Sequence, residues 1–298
     1  MSGVGDNARV ELAHISDLHL PLPTQPAPWG SYWGKRLLGW LNLRLKRHHP
    51  PEIAAALAAD LRARPPDHLA VTGDLTNLSL QAEFEAAAAW LRGLGLPPAR
   101  LSVIPGNHDA YVRQATRRRW FEAALGPVLG QAELRWPRAQ RVGEVLLVST
   151  SSAVPSPWGC AWGRLGAAQL AAADELLAAD AATRVVLVHH PPVLASGQPD
   201  RRWRRNLDWE PLLALCARRG VDMILCGHTH RPFRRRLERG WVFCAGSTTD
   251  PPREGRVGER AVYNRYRFEA GRLVGLEVRG FDPARGEFVR LSEEALSA

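Results

Sequence analysis

Five short clusters of histidine, aspartate and asparagine, each placed directly after a strand-like apolar run, constrain this chain more than any other feature of its sequence. In order they are Ile15-Ser16-Asp17-Leu18-His19, Gly73-Asp74, Gly106-Asn107-His108-Asp109, Val188-His189-His190-Pro191 and Gly227-His228-Thr229-His230. In an extended segment, side chains two residues apart lie on the same face, so His228 and His230 can point into one cavity. The clusters therefore predict one site, assembled from the ends of several strands.

Between the clusters, strand-like stretches alternate with helix-like ones. The sequence predicts strands over 9–16, 68–72 and 101–104, and helices over 52–64, 79–93 and 113–125. This alternation is typical of a layered α/β domain with a largely parallel sheet, in which sites form beyond the carboxyl ends of the strands. After the last cluster the period changes to two, which predicts a second, mostly antiparallel sheet over 240–291.

The length of 298 residues fits one large domain or two smaller ones. Because side chains from both ends of the sequence must meet in the site, we predict a single domain over 1–298, with its motifs within 9–250 and its C-terminal strands within 240–291. The cysteines show no metal-finger spacing. Three of them lie in apolar surroundings and are predicted to be core residues: Cys216, Cys226 and Cys244.

The sequence contains no stretch of about 18 apolar residues, and its start has neither the charge nor the apolar run of a secretory signal. These features favour a cytoplasmic protein. The formal net charge is +9 and is carried by arginine, with Lys35 and Lys46 as the only lysines. A positive surface favours anionic partners such as phosphate esters, nucleotides, nucleic acid or acidic lipid headgroups.

The segment 29–49 combines tryptophan and leucine with basic residues. On a helix, one face would carry Trp33, Leu37, Leu38, Trp40, Leu41 and Leu45, and the other would carry Lys35, Arg36, Lys46 and Arg47. Two interpretations stay open. The helix is either a cap that packs its apolar side on the protein beside the site, or an interfacial helix that brings the protein to the inner membrane surface.

The five clusters offer aspartate, asparagine and histidine side chains. Oxygen donors mixed with imidazole suit Mn, Fe or Zn, whereas a Ca or Mg site would be mostly oxygen and a structural Zn site would use thiolates. Seven ligands exceed the needs of one tetrahedral ion but suit two ions that share a carboxylate. Two metals about 3.5–4 Å apart can generate a bridging hydroxide and clamp a phosphoryl group for in-line attack.

In combination and order, the motifs D-x-H, G-D, G-N-H-D, H and G-H-x-H resemble the calcineurin-like metallophosphoesterases, from Asp17 to His230. The resemblance implies an α/β fold, a four-layer α/β/β/α sandwich with a mixed double sheet and a dinuclear site at one edge. It implies that Asp17, His19 and His230 hold the first metal. By the same matching, Asn107, His189 and His228 would hold the second metal, and Asp74 would bridge the two.

The resemblance also implies catalytic roles for two residues. His108 would contact the scissile phosphate and assist the leaving oxygen, and Asp109 would orient the His108 ring. His190 would either support a metal ligand or contact the substrate. Asn77 is a second candidate for contact with the substrate.

Within the family, the motifs most resemble the bacterial phosphodiesterases grouped with class III cyclic-nucleotide phosphodiesterases. Enzymes that cleave UDP-diacylglucosamine typically have arginine where His108 stands, although their helical, acyl-binding cap is similar to 29–49. No added arm or capping domain like those of the DNA-repair nucleases is present, so a nucleic acid partner is not favoured. We therefore expect hydrolysis of a phosphodiester or pyrophosphate bond in a small phosphodiester or nucleotide; the alternatives are a lipid-linked substrate at a membrane surface and a non-catalytic scaffold.

For the remaining histidines, tryptophans and arginines, structural roles are considered beside functional ones. We predict that four histidines are surface or strand residues outside the site: His14, His48, His49 and His68. The arginines of 201–205 form either a solvated loop or a phosphate clamp. Trp158 and Trp162 either anchor their loop or line a substrate wall.

Overall fold

The structure is a computed structural model that describes residues 9–21, 33–46, 49–253 and 257–296. Side chains at 42 and 44–46 also fall outside the description, so what the sequence predicts for Leu45, Lys46, Arg47 and His48 concerns undescribed residues or side chains. The helices are α1 (Lys35–Lys46), α2 (Pro51–Ala63), α3 (Gln81–Arg92), α4 (Arg113–Arg117), α5 (Trp120–Leu125), α6 (Ala167–Leu177) and α7 (Trp209–Arg219).

Two mixed, six-stranded sheets form the centre of the described structure. The strands of the first sheet are β1 (Val10–Ile15), β2 (His68–Val71), β3 (Leu101–Val103), β10 (Val262–Glu269), β11 (Arg272–Asp282) and β12 (Glu287–Ala295). The strands of the second are β4 (Arg138–Val142), β5 (Val145–Ser149), β6 (Thr183–Leu187), β7 (Met223–Cys226), β8 (Phe233–Arg236) and β9 (Trp241–Cys244). Their orders are β12-β11-β10-β1-β2-β3 and β4-β5-β6-β7-β9-β8.

The parallel strands end at the same level, which brings the predicted clusters together. In the first sheet Ile15 pairs with Val71, and Val71 pairs with Val103. In the second sheet Leu187 pairs with Leu225. The chain therefore leaves all five cluster-bearing strands at one edge of the double sheet, since parallel strands share the direction of their carboxyl ends.

Three buried cores separate four layers and confirm the α/β/β/α sandwich. Neighbouring residues of one strand face different cores: Leu12 of β1 lies between the two sheets, while Ala13 faces the helices α2, α3 and α5. Likewise, Leu147 of β5 lies between the sheets and Leu146 faces α6 and α7. Strands buried on both faces explain the continuous apolar runs of the sequence. The cysteines predicted to be core residues are buried: Cys216, Cys226 and Cys244.

The predicted second, mostly antiparallel sheet over 240–291 is wrong. Strand β9 lies parallel to β7 within the second sheet, and β10, β11 and β12 extend the first sheet as an antiparallel meander. Strand β10 pairs with β1, from Val10 opposite Phe268 to His14 opposite Asn264. The C-terminal strands thus satisfy the backbone groups on the open side of β1 instead of forming a sheet of their own.

The single helix predicted over 113–125 is two short helices. Arg119, between α4 and α5, has φ of 51°, which lies in the left-handed region and interrupts the helical path. At this break the Arg119 side chain donates a hydrogen bond to the Leu134 carbonyl at 2.8 Å and forms an ion pair with Glu133 at 3.3 Å.

Helix α1 lies beside the site with Arg36 turned inward. Arg36 is 4% exposed and donates hydrogen bonds to the carbonyl oxygens of Leu78 (2.9 Å) and Ser79 (2.6 Å). Gly39 sits so close to the protein that a Cβ there would lie 2.9 Å from the Tyr111 hydroxyl. Four large apolar side chains point away from the protein instead: Trp33, Leu37, Leu38 and Leu41. The interpretation of an apolar stripe packed on the protein is therefore wrong for these side chains.

In the described parts of the chain, every helix is too short or too polar to cross a bilayer.

Candidate metal centre

Hydrogen bonds between backbones join the loops that follow the strands into one rigid platform. Asp17 N–H donates to the carbonyl of Gly73 at 3.0 Å, and Gly227 N–H donates to the carbonyl of His189 at 3.0 Å. The two sheets are connected at the site itself, because the His228 N–H donates to the Asp17 carboxylate at 2.9 Å. Three of the predicted ligands, Asp17, His189 and His228, are therefore held by a bond to a neighbouring loop as well as by their own strands.

Five of the seven predicted ligands have left-handed backbones: Asp17 (φ 51°), His19 (φ 39°), Asp74 (φ 53°), His228 (φ 70°) and His230 (φ 57°). This conformation is uncommon outside glycine and costs on the order of 1–3 kcal/mol for each residue. Such strain persists only where surrounding contacts hold it, and it is typical of functional sites.

Two glycines let the loops approach closely enough to form the site. A Cβ on Gly227 would lie 1.9 Å from Ser16 Oγ and 2.3 Å from Asp17 Oδ2. A Cβ on Gly106 would lie 2.3 Å from Asp74 Oδ1. Both distances are far below van der Waals contact, so only glycine fits at these positions.

The first group of donor atoms comes from Asp17, His19, Asp74 and His230, whose ligand atoms all lie within 4.8 Å of one another. His19 Nε2 is 3.2 Å from His230 Nε2, and His230 Nε2 is 3.4 Å from Asp17 Oδ1. Oδ2 of Asp17 accepts a hydrogen bond from Ser16 Oγ–H at 2.6 Å, and the His228 N–H is shared between Oδ2 at 2.9 Å and Oδ1 at 3.1 Å. These bonds hold the carboxylate with Oδ1 toward the His230 nitrogen.

The second group consists of Asn107, His189 and His228. Asn107 Oδ1 lies 3.1 Å from His189 Nε2 and 2.8 Å from His228 Nδ1. Nε2 of His228 is buried and has no hydrogen-bond partner among the described residues. These contacts place two imidazoles around one amide oxygen.

Asp74 belongs to the first group and also faces the second. Its Oδ1 accepts a hydrogen bond from the His108 N–H at 2.7 Å. Its Oδ2 lies 3.7 Å from His19 Nε2, in the first group, and 3.4 Å from His189 Nε2, in the second. One carboxylate oxygen therefore faces both groups.

The spacing and chemistry of the donors fit divalent transition metals. With metal–ligand bonds of about 2.0–2.2 Å, neighbouring ligands of one ion lie about 3.0–3.5 Å apart. The separations of 3.2 Å between His19 and His230 and of 3.4 Å between His230 and Asp17 lie in this range. Imidazole mixed with carboxylate and amide oxygen is the donor set that Mn, Fe or Zn accepts.

Backbone carbonyls fix the tautomers of two of the candidate ligands. Nδ1 of His19 lies 3.1 Å from the Thr76 carbonyl, and Nδ1 of His189 lies 2.7 Å from the Thr72 carbonyl. A carbonyl only accepts, so both Nδ1 atoms carry hydrogen. In each ring Nε2 is left to face the site, an arrangement common among metal-binding histidines.

The buried charges strongly shift the pKa values of the site. Burial opposes charge on both Asp74 and His189, but their attraction outweighs it, lowering the pKa of Asp74 and raising the pKa of His189 to about 10. Burial and the neighbouring His49 and His108 lower the pKa of His19. His189 must lose its Nε2 proton to bind a cation, so cation binding at this nitrogen releases a proton.

His190 uses both ring nitrogens within the protein. Nε2 lies 3.1 Å from the Ala161 carbonyl and so carries hydrogen, and Nδ1 accepts from the Ser152 hydroxyl at 2.8 Å. The side chain is fully buried. These bonds favour His189 as the ligand of this pair and a supporting role for His190, and they give no support to the substrate contact predicted for His190.

The ring of His108 is oriented by Asn77 and not, as the resemblance implied, by Asp109. Nδ1 of His108 lies 2.7 Å from the Asn77 carbonyl oxygen. The Asp109 carboxylate instead accepts hydrogen bonds from the backbone N–H groups of Gly106 (2.9 Å), Leu75 (3.2 Å) and Thr76 (3.0 Å). These backbone N–H groups therefore occupy both oxygens of the Asp109 carboxylate. The Asn77 amide donates to the Leu20 carbonyl at 2.8 Å, which favours a role in the loop.

Sequence reasoning missed a row of hydroxyls after β9. Ser247 Oγ–H donates to the Asp17 carbonyl at 2.8 Å, Thr248 Oγ1 accepts from the Ser16 N–H at 3.1 Å, and Thr249 Oγ1–H donates to the Leu18 carbonyl at 2.6 Å. Together they hold the backbone that presents Asp17 and His19. Their signal was available, because this polar run also follows a buried parallel strand.

Two further residues reach the site from outside the predicted clusters. Arg204 is half-buried and donates to the His228 carbonyl at 3.3 Å, whereas Arg201 and Arg202 of the same loop are exposed. His49, predicted to lie outside the site, is buried, and its ring centroid lies 4.6 Å from that of His19. The prediction for His49 is therefore wrong, while His14 and His68 are buried strand residues, as predicted.

The chain is similar in sequence to known phosphoesterases. A family model described as calcineurin-like phosphoesterase matches residues 10–232. A probable cyclic nucleotide phosphodiesterase from Synechococcus sp. is 27% identical over 229 residues, which cover 77% of this chain and 76% of the relative.

Solved structures show a similar fold at low identity. A purple acid phosphatase from yellow lupin (Lupinus luteus) seeds superposes with a TM-score of 0.62 at 11% identity, covering 98% of this chain and 54% of that one, so this chain spans about half of its length. GAP50, the anchor in the inner membrane complex of Plasmodium, superposes with a TM-score of 0.54 at 8% identity and covers 97% and 89%. These likenesses concern the fold alone.

Proposed function

Because the chain belongs to the calcineurin-like phosphoesterase family, we propose that it is a dinuclear enzyme that hydrolyses a phosphodiester or pyrophosphate bond. Membership of this family makes it a metal-dependent phosphoester hydrolase. The number of ions, the bond cleaved and the roles of single residues are what the proposal adds. The observation that carries it is Asp74 Oδ2, which faces a nitrogen of each donor group, at 3.7 Å and 3.4 Å.

Seven side chains are proposed to hold two cations of the Mn, Fe or Zn class. Asp17, His19 and His230 would hold the first, Asn107, His189 and His228 the second, and Asp74 both. Bound there, the cations would supply positive charge to the phosphoryl oxygens and lower the pKa of a water molecule toward neutrality. The strained, hydrogen-bonded loops keep the donors in place before substrate arrives.

His108 is proposed to assist the leaving oxygen. Its Nδ1 is bonded to the Asn77 carbonyl, so the ring is fixed with Nε2 on the opposite side. The ring stacks on Tyr111, with centroids 5.3 Å apart, and lies edge-on to His19 at 4.7 Å. When Nε2 is also protonated, it can donate that proton to the oxygen that leaves phosphorus.

The proposed substrate is an anionic phosphodiester of small size. The name of the Synechococcus relative, a probable cyclic nucleotide phosphodiesterase, supports a nucleotide. The net charge of +9 favours association with anions. Arg204, beside the His228 carbonyl, would contribute positive charge at the site.

Hydrolysis of bis(p-nitrophenyl) phosphate in Mn²⁺ tests the proposal. We expect His108→Ala to lower kcat by about 10²–10⁴-fold, the usual contribution of a general acid, without changing the number of bound ions. Asp74→Ala is expected to lose both activity and ions. The matched control is Asp180→Ala, because Asp180 is exposed. Unchanged activity in both site variants would refute the mechanism.

A lipid-linked phosphate is a second candidate substrate, and the outward apolar side of α1 is the observation that favours it. Trp33 is 79% exposed and Trp158 is 61% exposed. Three described segments contribute to this surface, 33–41, 110–121 and 150–165, and they contain no aspartate or glutamate. Exposed arginines of one of them add positive charge: Arg113, Arg117 and Arg118. Exposed apolar side chains surrounded by positive charge suit an anionic lipid surface.

A groove lies at this surface and is lined by Lys35, Tyr111, Pro155 and Trp158. One of its lining residues, Tyr111, stacks on His108. A lipid held at the surface could therefore extend its phosphate toward His108.

Co-sedimentation with vesicles separates the two candidates. Wild type is expected to bind vesicles that contain phosphatidylglycerol and not vesicles of phosphatidylcholine alone, and Trp33→Ser/Leu38→Ser should abolish the binding. The matched control is Val257→Ser/Leu291→Ser, which removes two exposed apolar side chains elsewhere. Equal sedimentation of wild type and the Trp33/Leu38 variant would leave the small phosphodiester as the candidate.

A further inference from the structure

His49 lies against the first donor group, although it belongs to none of the five clusters. The side chain is 8% exposed. Its ring centroid lies 4.6 Å from that of His19 and 5.9 Å from that of His230. One nitrogen of each of these three histidines lies within 4.8 Å of the other two.

The hydrogen bonds of Thr249 determine which nitrogen of His49 carries hydrogen. The Thr249 hydroxyl lies 2.6 Å from the Leu18 carbonyl, which only accepts, so the hydroxyl hydrogen points there. Nδ1 of His49 lies 2.9 Å from the same hydroxyl oxygen and must therefore donate to it. The neutral ring then has its lone pair on Nε2. His19 and His189 have the same tautomer, each fixed by a carbonyl at Nδ1.

The chain holds His49 in a strained position. Its backbone has φ of 61°, in the left-handed region shared with the predicted ligands. The next residue, Pro50, has φ of −64° and caps α2, whose first residue is Pro51. Two consecutive prolines restrict the chain directly after His49. Strain of this kind is maintained at ligand sites where the surroundings require it.

We propose that His49 is a third imidazole ligand of the first cation, beside His19 and His230. This inference rests on the proposed function, because it requires a cation in the first donor group. Two donor atoms of one ion with bonds of about 2.1 Å lie at most about 4.2 Å apart. The nitrogens of the three histidines lie within 4.8 Å of one another, so they are close to the spacing that one ion requires. Three imidazoles make the first site richer in nitrogen than the second, which favours Zn or Fe over Mn or Mg there.

His49→Asn tests this assignment without removing the bond to Thr249. The asparagine amide occupies the place of Nδ1 and tolerates a positive φ, but it has no atom in the place of Nε2. We expect wild type to bind two Zn²⁺ ions and the variant to bind one of them at least tenfold more weakly in a chelator competition. The visible absorption of the Co²⁺-loaded protein should change as well. His49→Gln, whose amide oxygen reaches the place of Nε2, should recover part of the affinity.

His68→Gln is the matched control, since it replaces another buried histidine by an amide away from the site. It is expected to bind both ions as wild type does, and circular dichroism checks that each variant is folded. Two ions bound by His49→Asn with wild-type affinity and spectrum would overturn the inference, even if its KM for substrate rose. A wild-type protein that bound no ions would instead refute the proposed function.

Discussion

Oδ2 of Asp74 lies 3.4 Å from Nε2 of His189, so an aspartate that follows a strand of the first sheet faces a histidine that follows a strand of the second. The site is therefore formed across the junction of the sheets. Its geometry depends on the core between them, in which Leu12 of β1, Leu147 of β5 and Leu225 of β7 are buried together.

Replacing Asp74 by asparagine tests whether one carboxylate serves two cations. Asp74→Asn keeps an oxygen that can accept from the His108 N–H but removes the negative charge. We expect the protein to retain at most one ion per chain and kcat to fall at least about 10³-fold, because both positions lose a charged ligand. Elemental analysis of the purified protein counts the ions. Two ions and wild-type activity in Asp74→Asn would contradict a shared carboxylate, and Asp180→Asn is the control.

Gly227→Ala should damage the site through a single methyl group. The added Cβ would lie 1.9 Å from Ser16 Oγ, so Asp17 and its supporting hydroxyl must move. We expect the free energy of unfolding to fall by about 1–3 kcal/mol, as in other overpacked positions, together with weaker metal binding. The control is Gly286→Ala, which meets no atom within 4 Å and introduces only the strain of its φ of 66°. Urea unfolding and metal binding are measured on both variants. Gly286→Ala should bind metal as wild type does, and wild-type metal binding by Gly227→Ala would mean that the loops at Gly227 adapt.

Asp109→Asn distinguishes two roles of the Asp109 carboxylate, which are to hold the loops and to orient the His108 ring. If the carboxylate holds the loops by accepting from backbone N–H groups, the NH2 group of the asparagine will face one of those N–H donors without an acceptor. The free energy of unfolding should then fall by about 1–3 kcal/mol. Activity should then fall with it, because the loop from Gly106 to Asp109 carries Asn107 and His108. Thermal unfolding and kcat are measured on the same samples. A loss of kcat at unchanged stability would instead favour the orienting role that the resemblance implied.

His68 should make the stability of the protein depend on pH. Burial, together with the positive charge of Arg138, lowers the pKa of His68 from 6.5 to about 4. The unfolded chain therefore takes up a proton below about pH 6.5 that the folded protein resists. Neutral His68 therefore contributes to the free energy of unfolding. This contribution is fully present above about pH 6.5 and is lost as the pH falls toward 4, at up to about 1.4 kcal/mol per pH unit.

His68→Gln removes this titration and keeps an amide near Ser102, which bonds to Nε2 of His68 at 2.9 Å. Between pH 7 and pH 5 we expect the variant to lose about 2 kcal/mol less stability than wild type. Urea unfolding at the two pH values measures the difference. Identical losses would mean that His68 titrates near its ordinary pKa in the folded protein.

The strand ends and their clusters could be predicted from the sequence because their signals are local. An apolar run such as Met223–Cys226 forms a strand buried on both faces, and the glycine after it turns the next residues outward. The order of motifs from Asp17 to His230 was enough to predict the layered α/β/β/α fold, which the two sheets and three cores confirm.

Contacts between distant segments could not be predicted in this way. Period-two stretches near the C-terminus indicate strands but not their partners, and only the open edge of β1 decided that β10 joins the first sheet. The same holds for α1. Hydrogen bonds of Arg36 to Leu78 and Ser79 turn the arginine inward, and Leu37, Leu38 and Leu41 are exposed, against the usual preference of an amphipathic helix.

The amino-acid sequence by itself determined the family, the strands and the donor types, since these depend on the kind and order of residues along the chain. Tertiary structure alone decided which atoms meet. His49 reaches the first donor group through Thr249, 200 residues away in the chain, and His189 faces the site while its neighbour His190 is occupied by Ser152 and Ala161. Such choices depend on hydrogen bonds between loops that only the packed sheets bring together.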